Sequence, residues 1–229
     1  MADKGDAPLY RRQLVSRAAS AAKGRVPLIS PRRVVLATGN PGKLREMRAI
    51  LAGHDLEVVA QTDLGIPSPV EDGNSFLANA LLKARHAAGI AKLPAIADDS
   101  GLEVDALGGG PGIHTARYAG PVADERANND KLLAELAGVP AERRGARYRC
   151  AIVFVRNADD PSPIVAEASW EGRIGFEPRG TGGFGYDPLF VVAGEDFTAA
   201  EMPAADKNLV SHRGQALVAL AAKMRQAGW

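Results

Sequence analysis

The stretch PAIADDSGLEV, residues 94–104, places two adjacent acids between two short apolar segments. Its apolar beginning ends in two adjacent carboxylates, Asp98 and Asp99, and an apolar segment resumes after Ser100 and Gly101. Adjacent carboxylates repel each other, and removing either from water is costly. The pattern predicts one short buried strand before the pair and another after it, so that the two acids lie at a strand end.

Helical and strand patterns alternate on both sides of this stretch. Apolar residues at helical spacing predict the helices, and short apolar runs bounded by turn residues predict the strands. This alternation, with one long hairpin, predicts an α/β (mixed α+β) fold with a central mixed sheet flanked by helices. The predicted strands are 34–37, 56–61 and the two halves of 147–176, and the predicted helices are 42–53, 74–89, 124–138 and 211–228.

The composition is that of an ordinary globular protein. Of the 229 residues, 46% are apolar and 24% are charged, and 28 basic residues nearly balance 27 acidic ones, for a net charge of +1. This length is enough for one sizeable domain with a core, or for two small ones. The charge gives no reason to expect nucleic acid as a partner, and no stretch approaches the roughly 20 apolar residues of a membrane span.

The first residues and the single cysteine bear on domain organisation and location. Residues 1–32 lack the apolar core of a signal peptide, which predicts a flexible extension ahead of one domain at 33–229. An organelle-targeting leader is the alternative, and Asp3 and Asp6 count against it. Cys150 lies in the apolar run CAIVFV, so we expect a buried thiol in a reducing compartment and hence a cytoplasmic protein.

The loop ATGNPGKL, residues 37–44, follows a predicted strand and opens a predicted helix. It is not a P-loop, because it lacks the first glycine and the Ser or Thr after lysine. Thr38, Asn40 and Lys43 nevertheless place three polar groups in one turn at a helix N-terminus, which favours an anion site. The alternative is an ordinary turn with a surface lysine.

The segment GTGGFGYDP, residues 180–188, matches G-x-G-x-x-G but precedes a strand-like run, so a dinucleotide fold is rejected. Phe184, Tyr186 and Asp187 on a glycine loop suit stacking and hydrogen bonding to a heterocyclic base. A flexible hairpin is the alternative.

Two further segments leave their function open. The glycine-rich loop 107–120 carries His114 and Arg117 and fits a surface loop as well as a functional one. The segment ERRGARYR, residues 142–149, could be argued to bind nucleic acid, but one basic cluster on a neutral chain also fits arginines exposed on a strand.

Acidic residues near the first stretch point to a metal. Asp98 and Asp99 follow a predicted strand, where open α/β sheets place ligands, and Glu71 and Asp72 lie upstream. Mg²⁺ usually binds through one or two carboxylates together with substrate phosphates. A polar turn is the alternative, and the predicted anion loop and Lys83 argue against it. A metal there would offset the repulsion between the paired acids and neutralise phosphate charge.

Four segments together resemble the inosine/xanthosine triphosphate pyrophosphatase family, in the family's order and over nearly everything from Arg33 onward. They are ATGNPGK (37–43), ADDSGLEVDALGGGPG (97–112), TGGFGYDPLF (181–190) and KNLVSHRGQAL (207–217). The resemblance implies Mg²⁺-dependent hydrolysis of ITP, dITP and XTP to the monophosphate and pyrophosphate. It also implies a homodimer and a long mixed sheet with a substrate cleft between two lobes. On this resemblance we expect Mg²⁺ and a polyphosphate to supply the positive charge and ligands that the paired acids lack.

The same resemblance assigns roles to individual residues. Asp99 would be the catalytic carboxylate and would hold the metal with Glu71, and Ser100 would contact substrate. The residues implied to bind phosphates are Thr38, Gly39, Asn40, Pro41, Gly42, Lys43 and Lys83. The residues implied to surround the base are Phe184, Gly185, Tyr186, Asp187, Lys207, His212 and Arg213. A pyrophosphatase for other modified nucleotides and a non-catalytic nucleotide sensor remain the alternatives.

Overall fold

The computed structural model describes residues 32–122 and 124–229, so that all of the predicted extension at 1–32 except Arg32 lies outside the described residues. Six strands form one sheet: β1 (Arg32–Leu36), β2 (Leu56–Ala60), β3 (Ala95–Val104), β4 (Gly145–Val155), β5 (Ile164–Ile174) and β6 (Phe190–Val192). Their order is β2-β1-β3-β4-β5-β6. β1 is parallel to β2 and β3, whereas β3 to β6 are antiparallel neighbours. The predicted mixed sheet is therefore confirmed.

Five α-helices accompany the sheet in the described part of the chain: α1 (Pro41–Leu51), α2 (Phe76–Ala91), α3 (Glu125–Glu135), α4 (Ala204–Val210) and α5 (His212–Gln226). All four predicted helices are present, and the short α4 is additional. Ser211 separates α4 from α5, and its hydroxyl accepts a hydrogen bond from the Gly214 amide, as expected of an N-cap. This abrupt start places His212 and Arg213 on the first turn of α5.

Apolar packing covers both faces of the sheet. On one face, α1 and α5 bury Met47 and Leu217 against Leu36, Ile96 and Phe154. On the other face, α2 contributes small side chains, and small side chains let a helix approach a sheet closely; these are Ala80, Ala84, Ala87 and Ala88. A third cluster, rich in aromatic residues, lies where the far ends of β4 and β5 meet β6. The third cluster is therefore the core of a second part of the fold, separate from the part in which helices cover β1.

The interpretation of residues 94–104 as two strands is wrong. β3 runs unbroken from Ala95 to Val104 and pairs with β4, with Asp98 opposite Ile152 and Asp99 opposite Ala151. Successive side chains of a strand point to opposite faces of the sheet, so the two carboxylates point away from each other. Their repulsion therefore does not interrupt the strand.

A notch opens at the carboxyl end of β1. β1 pairs with β3 only as far as Leu36, opposite Ile96, after which the Ala37 amide donates to the Ile96 carbonyl at 2.8 Å. The chain then turns into α1. Among the described residues, the edge of β3 from Ala97 to Gly101 has no strand beside it on this side. Asp98, Asp99 and Ser100 therefore lie at an opening in the sheet.

Candidate active site

A cleft of about 620 Å³ occupies this notch, which is within the range of small-molecule sites. The residues around it come from β3, from the first turns of α1 and α5, from α2 and from the glycine loop before β6. Of the residues predicted for the site, only Pro41 and Gly42 do not line the cleft. The lining includes Thr38, Gly39, Asn40, Lys43, Glu71, Lys83, Asp99, Ser100, Phe184, Gly185, Tyr186, Asp187, Lys207, His212 and Arg213.

The loop between β1 and α1 is fixed by its own side chains. The Asn40 side chain caps α1 by accepting from the Lys43 amide at 3.0 Å, and the Asn40 amide donates to the Thr38 hydroxyl at 3.2 Å. Pro41 starts the helix, where a missing N–H is harmless. Gly42 faces the Phe184 ring, and a Cβ there would lie 2.7 Å from it. The turn thus presents a helix N-terminus and the Lys43 ammonium to the cleft.

One face of β3 carries Asp99 into a cluster built on α2. The Lys83 ammonium donates to Asp99 Oδ1 at 2.8 Å and to Glu71 Oε2 at 3.4 Å, and Asn79 Nδ2 donates to Asp99 Oδ2 at 3.2 Å. Asn79 and Lys83 are four residues apart and so share one face of the helix. Burial by itself would lower the pKa of Lys83, but Asp99, Asp98 and Glu71 raise it above its usual value. Lys83 therefore stays charged.

The opposite face of β3 carries Asp98 into a different cluster. Its Oδ2 lies 3.0 Å from the Lys43 ammonium and 3.2 Å from both Nε and Nη2 of Arg213. Burial by itself would raise the pKa of Asp98, but Lys43, Arg213 and Lys83 hold it far below the usual range. Each acid of the pair thus has its own cations from the protein. The expectation that the paired acids lack positive partners from the protein is therefore wrong, whereas the binding of Mg²⁺ stays a prediction.

Arg213 is 2% exposed and joins several groups at the start of α5. Besides Asp98, its guanidinium donates to the Ser100 hydroxyl at 2.8 Å and to the Glu46 carboxylate. Glu46 also accepts from Lys207 at 2.9 Å, and Lys207 in turn donates to Asp187. Burial would lower the pKa of Lys207, but these two carboxylates raise it. Alternating charges thus connect β3, α1 and the glycine loop.

Aromatic rings form the remaining wall of the cleft. The Phe184 ring centre lies 5.1 Å from the Lys207 ammonium and 5.6 Å from the Arg213 guanidinium carbon. The His212 ring stacks on Tyr148, with centroids 4.7 Å apart and planes 11° apart. Burial, together with Arg213 and Lys207, holds the pKa of His212 well below its usual value, so the ring is neutral. Its buried Nδ1 has no hydrogen-bond partner among the described residues.

The glycine loop 180–188 has contacts that its sequence alone does not reveal. Tyr186 is buried, and its hydroxyl donates to the Thr115 carbonyl at 2.9 Å, so it ties two loops together. Asp187 accepts from the Phe184 amide at 2.8 Å. Gly183 has a φ of +72°, and a Cβ there would lie 2.0 Å from the Asp187 carboxylate. Turns lead directly into β6, in agreement with the rejection of a dinucleotide fold.

The loop 107–120 is a wall of the cleft and packs against β3. Thr115 Oγ1 accepts from the Leu102 amide at 2.8 Å, and a Cβ on Gly101 would lie 2.3 Å from the Gly112 carbonyl. Gly101 is therefore needed where this loop crosses the strand. Arg117 lines the cleft, whereas His114 lines a separate surface pocket.

Sequence reasoning missed two residues that organise the site, Glu46 and Asn79. Glu46 lies in a predicted helix and looks like a surface acid, because its partners Lys207 and Arg213 are more than 160 residues away. Asn79 lies among apolar residues of α2. A polar residue in such a run is a signal, but the helix pattern alone does not show what its side chain contacts. Ser68 also lines the cleft and accepts from Gln61 at 3.0 Å.

The basic segment 142–149 does not form one positive surface. Arg144 is buried and donates to the carbonyls of Leu136, Val139 and Gly175. Arg147 pairs with Asp105 and Glu171, which neutralises its charge locally. These contacts favour a structural role over nucleic-acid binding.

In the described part of the chain, no helix combines the length and the apolarity needed to span a membrane.

The cleft offers two neighbouring carboxylates as possible metal ligands. Glu71 and Asp99 both contact the Lys83 ammonium, so the two carboxylates lie on one side of the cleft and face the same positive group. Within residues 32–122 and 124–229, no group of three or more His, Cys, Asp or Glu side chains could hold a metal. Two carboxylates fit a hard divalent cation that takes its other ligands from water and phosphate, and they do not fit a structural zinc site.

Known proteins resemble this chain in sequence and in fold. The Ham1 family model matches residues 34–223. A dITP/XTP pyrophosphatase of Methylococcus capsulatus is 58% identical over 194 residues, covering 85% of this chain and 96% of the relative. One of Escherichia coli (strain K12) is 54% identical, covering 84% and 98%. The structure of a HAM1 protein from Coxiella burnetii superposes with a TM-score of 0.78 at 42% identity, covering 85% of this chain and 99% of the other.

Proposed function

This chain belongs to the Ham1 family, and we propose that it hydrolyses deaminated purine nucleoside triphosphates (ITP, dITP and XTP) to the monophosphate and pyrophosphate, clearing them from the nucleotide pool. This proposal rests on the observation that three features line one cleft. They are a carboxylate cluster at Asp99, a cationic helix start at Lys43 and an aromatic wall at Phe184. The names of close relatives support the same activity.

The two ends of the cleft suit the two ends of such a substrate. Lys43, Lys83 and the capped start of α1 offer positive charge and hydrogen-bond donors to a triphosphate. Phe184 and the neutral His212 offer ring faces to a purine, and Lys207 and Arg213 lie beside them. A purine with an oxygen at position 6 offers an acceptor to these donors, whereas adenine offers a donor.

The reaction needs a group that activates water. We assign this role to Asp99, which orients the water and takes its proton as the oxygen attacks the α-phosphorus. The bond from that phosphorus to the bridging oxygen then breaks, and pyrophosphate leaves. Lys83, which contacts Asp99 and is charged, stabilises negative charge on the phosphates.

Residues Glu71 and Asp99 would hold the divalent cation, and we propose Mg²⁺. Their two carboxylates are the number that Mg²⁺ usually takes from protein when a substrate phosphate completes its shell. When bound, Mg²⁺ neutralises phosphate charge and favours departure of pyrophosphate.

Replacing the carboxylate of Asp99 tests the assignment. Asp99→Asn keeps the shape of the side chain but removes its charge, so we expect loss of pyrophosphate release from ITP with Mg²⁺ while the protein stays folded. The matched control is Asp159→Asn, which makes the same change at an exposed position in the turn after β4. Turnover near the wild-type rate in Asp99→Asn would remove Asp99 from the mechanism.

The substrate range needs a separate assay. Pyrophosphate release from ITP, XTP, dITP, ATP, GTP and dTTP distinguishes this activity from a pyrophosphatase for other modified nucleotides. Tight binding of ITP with no release from any of them would indicate a sensor instead.

We also propose a homodimer in the cytoplasm. The family resemblance suggests the dimer, and sedimentation equilibrium measures it. The buried, unpaired thiol of Cys150 is consistent with a reducing compartment.

A further inference from the structure

We infer that Asn79 is a positioning residue that fixes the Asp99 carboxylate relative to the segment that carries Glu71. This inference rests on the proposed function, because its subject is the pair of carboxylates proposed to hold the metal. No contact between Asn79 and substrate is required.

The side chain of Asn79 bridges the two ligand-bearing segments. It is 1% exposed, its Nδ2 donates to Asp99 Oδ2 at 3.2 Å, and its Oδ1 accepts from the Gly73 amide at 2.8 Å. Gly73 is two residues beyond Glu71 in the chain. One amide therefore links a strand that presents one carboxylate to a loop that presents the other.

An amide suits both contacts. A carboxylate acceptor requires a donor, and a backbone N–H requires an acceptor, and the asparagine side chain offers both. The packing around this contact is tight, because a Cβ on Gly73 would lie 2.5 Å from Asn79 Oδ1. The loop therefore approaches Asn79 closely enough for the bond to set its position.

Lys83 alone cannot fix the position of the Asp99 carboxylate. It contacts both carboxylates, but its long, flexible side chain is also proposed to reach the phosphates. When Lys83 engages phosphate, the short and buried Asn79 still holds Asp99 Oδ2. Residues that orient metal ligands from outside the coordination shell are worth about 10- to 100-fold in metal affinity or activity.

The test measures metal binding and not turnover. Mn²⁺ is titrated into protein saturated with an ITP analogue that has a methylene group between the α- and β-phosphates, and free Mn²⁺ is followed by electron paramagnetic resonance. We expect Asn79→Ala to raise the Mn²⁺ dissociation constant about 10- to 100-fold. Asn157→Ala, which removes a turn contact to Asp159 far from the cleft, should leave it unchanged.

A second variant approaches the same bond from the other side. Gly73→Ala places a methyl group against Asn79 Oδ1 and should also weaken Mn²⁺ binding. The double variant should bind Mn²⁺ no more weakly than Asn79→Ala, because both changes break the same contact. If Asn79→Ala does not fold, Gly73→Ala carries the test.

The outcomes separate this inference from the proposed function. Folded variants that bind Mn²⁺ as tightly as the wild type, even with lower thermal midpoints, overturn the inference alone. A wild-type protein that binds no Mn²⁺ under these conditions overturns the proposed metal site and the inference with it.

Discussion

At the scale of single residues, Asp98 and Asp99 are neighbours in sequence but form their ion pairs with different side chains. Asp98 is held by Lys43 and Arg213 on one face of β3, and Asp99 by Lys83 on the other. Buried charges are tolerated when they are paired, and removing one partner leaves the other uncompensated. The strand alternation thus lets one dipeptide support a structural cluster and a candidate catalytic one.

Arg213 connects this structural cluster with the proposed recognition of the base. Its guanidinium is bonded to Asp98, Ser100 and Glu46 and also lines the cleft. We expect Arg213→Ala to reduce ITP hydrolysis strongly and to narrow the ratio of ITP to ATP turnover, because a site that pairs with a substrate oxygen discriminates by roughly 10⁴-fold or more. Assays of ITP and ATP turnover in the variant and in the wild type measure both effects.

The control for that variant is Arg213→Lys, which keeps the charge but cannot form the same fork of hydrogen bonds. If ITP turnover falls in Arg213→Ala while the ITP/ATP ratio stays constant, Arg213 supports the cluster around Asp98 and does not read the base.

At the scale of elements, α2 determines the geometry of the Asp99 cluster. Its alanine face packs on β1, β3 and β4, and its first two turns deliver Asn79 and Lys83 to the strand. Ser75 caps the helix, because its hydroxyl accepts from the Ala78 amide at 3.1 Å. The cap lies one turn from Asn79 but outside the cleft.

Removing the cap should affect stability and leave chemistry intact. Ser75→Ala should lower the free energy of unfolding by about 1 kcal/mol, measured by urea denaturation. The buried alanines keep α2 seated on the sheet, so kcat and KM for ITP should stay at their wild-type values. Ser75→Asp, which retains a capping oxygen, should recover the stability. A large fall in kcat for Ser75→Ala would instead mean that the first turn of α2 moves with its cap.

Elements with a local signal were predictable from sequence. Periodicity located the helices now designated α1, α2, α3 and α5 and the hairpin of β4 and β5. The continuity of β3 was not predictable, because Asp-Asp-Ser-Gly has the composition of a turn and its strand geometry is imposed by pairing with β4, about 50 residues away. Glu46 was missed for the same reason, since its partners are remote in the chain. The motif residues were found because each motif is contiguous.

At the scale of the whole molecule, the near balance of charge is repeated inside the cleft. The net charge of the chain is only +1. Five cationic and five acidic side chains line the cleft together: Lys43, Lys83, Arg117, Lys207 and Arg213 with Glu71, Asp99, Asp124, Glu125 and Asp187. A polyphosphate would therefore meet cations that already pair with carboxylates, and a divalent cation would offset the acidic charge.

His212 gives the whole fold a dependence on pH. Burial, with Arg213 and Lys207, holds its pKa well below the ordinary value of 6.5. Below that pH the unfolded chain binds a proton that the folded protein does not, so the free energy of unfolding falls as the pH drops from 7 to 5. At about 1.4 kcal/mol per pH unit, the loss approaches about 2 kcal/mol.

His212→Phe isolates this contribution, because phenylalanine keeps a ring against Tyr148 and does not titrate. Urea denaturation at pH 7 and pH 5 should show a larger loss of stability in the wild type than in the variant. Asp98 and Glu46, whose pKa values are lowered, lose their contributions only below their unfolded values near pH 4, outside this window. His54 titrates in both proteins and cancels. Equal losses in the two proteins would mean that His212 accepts a proton inside the folded cleft.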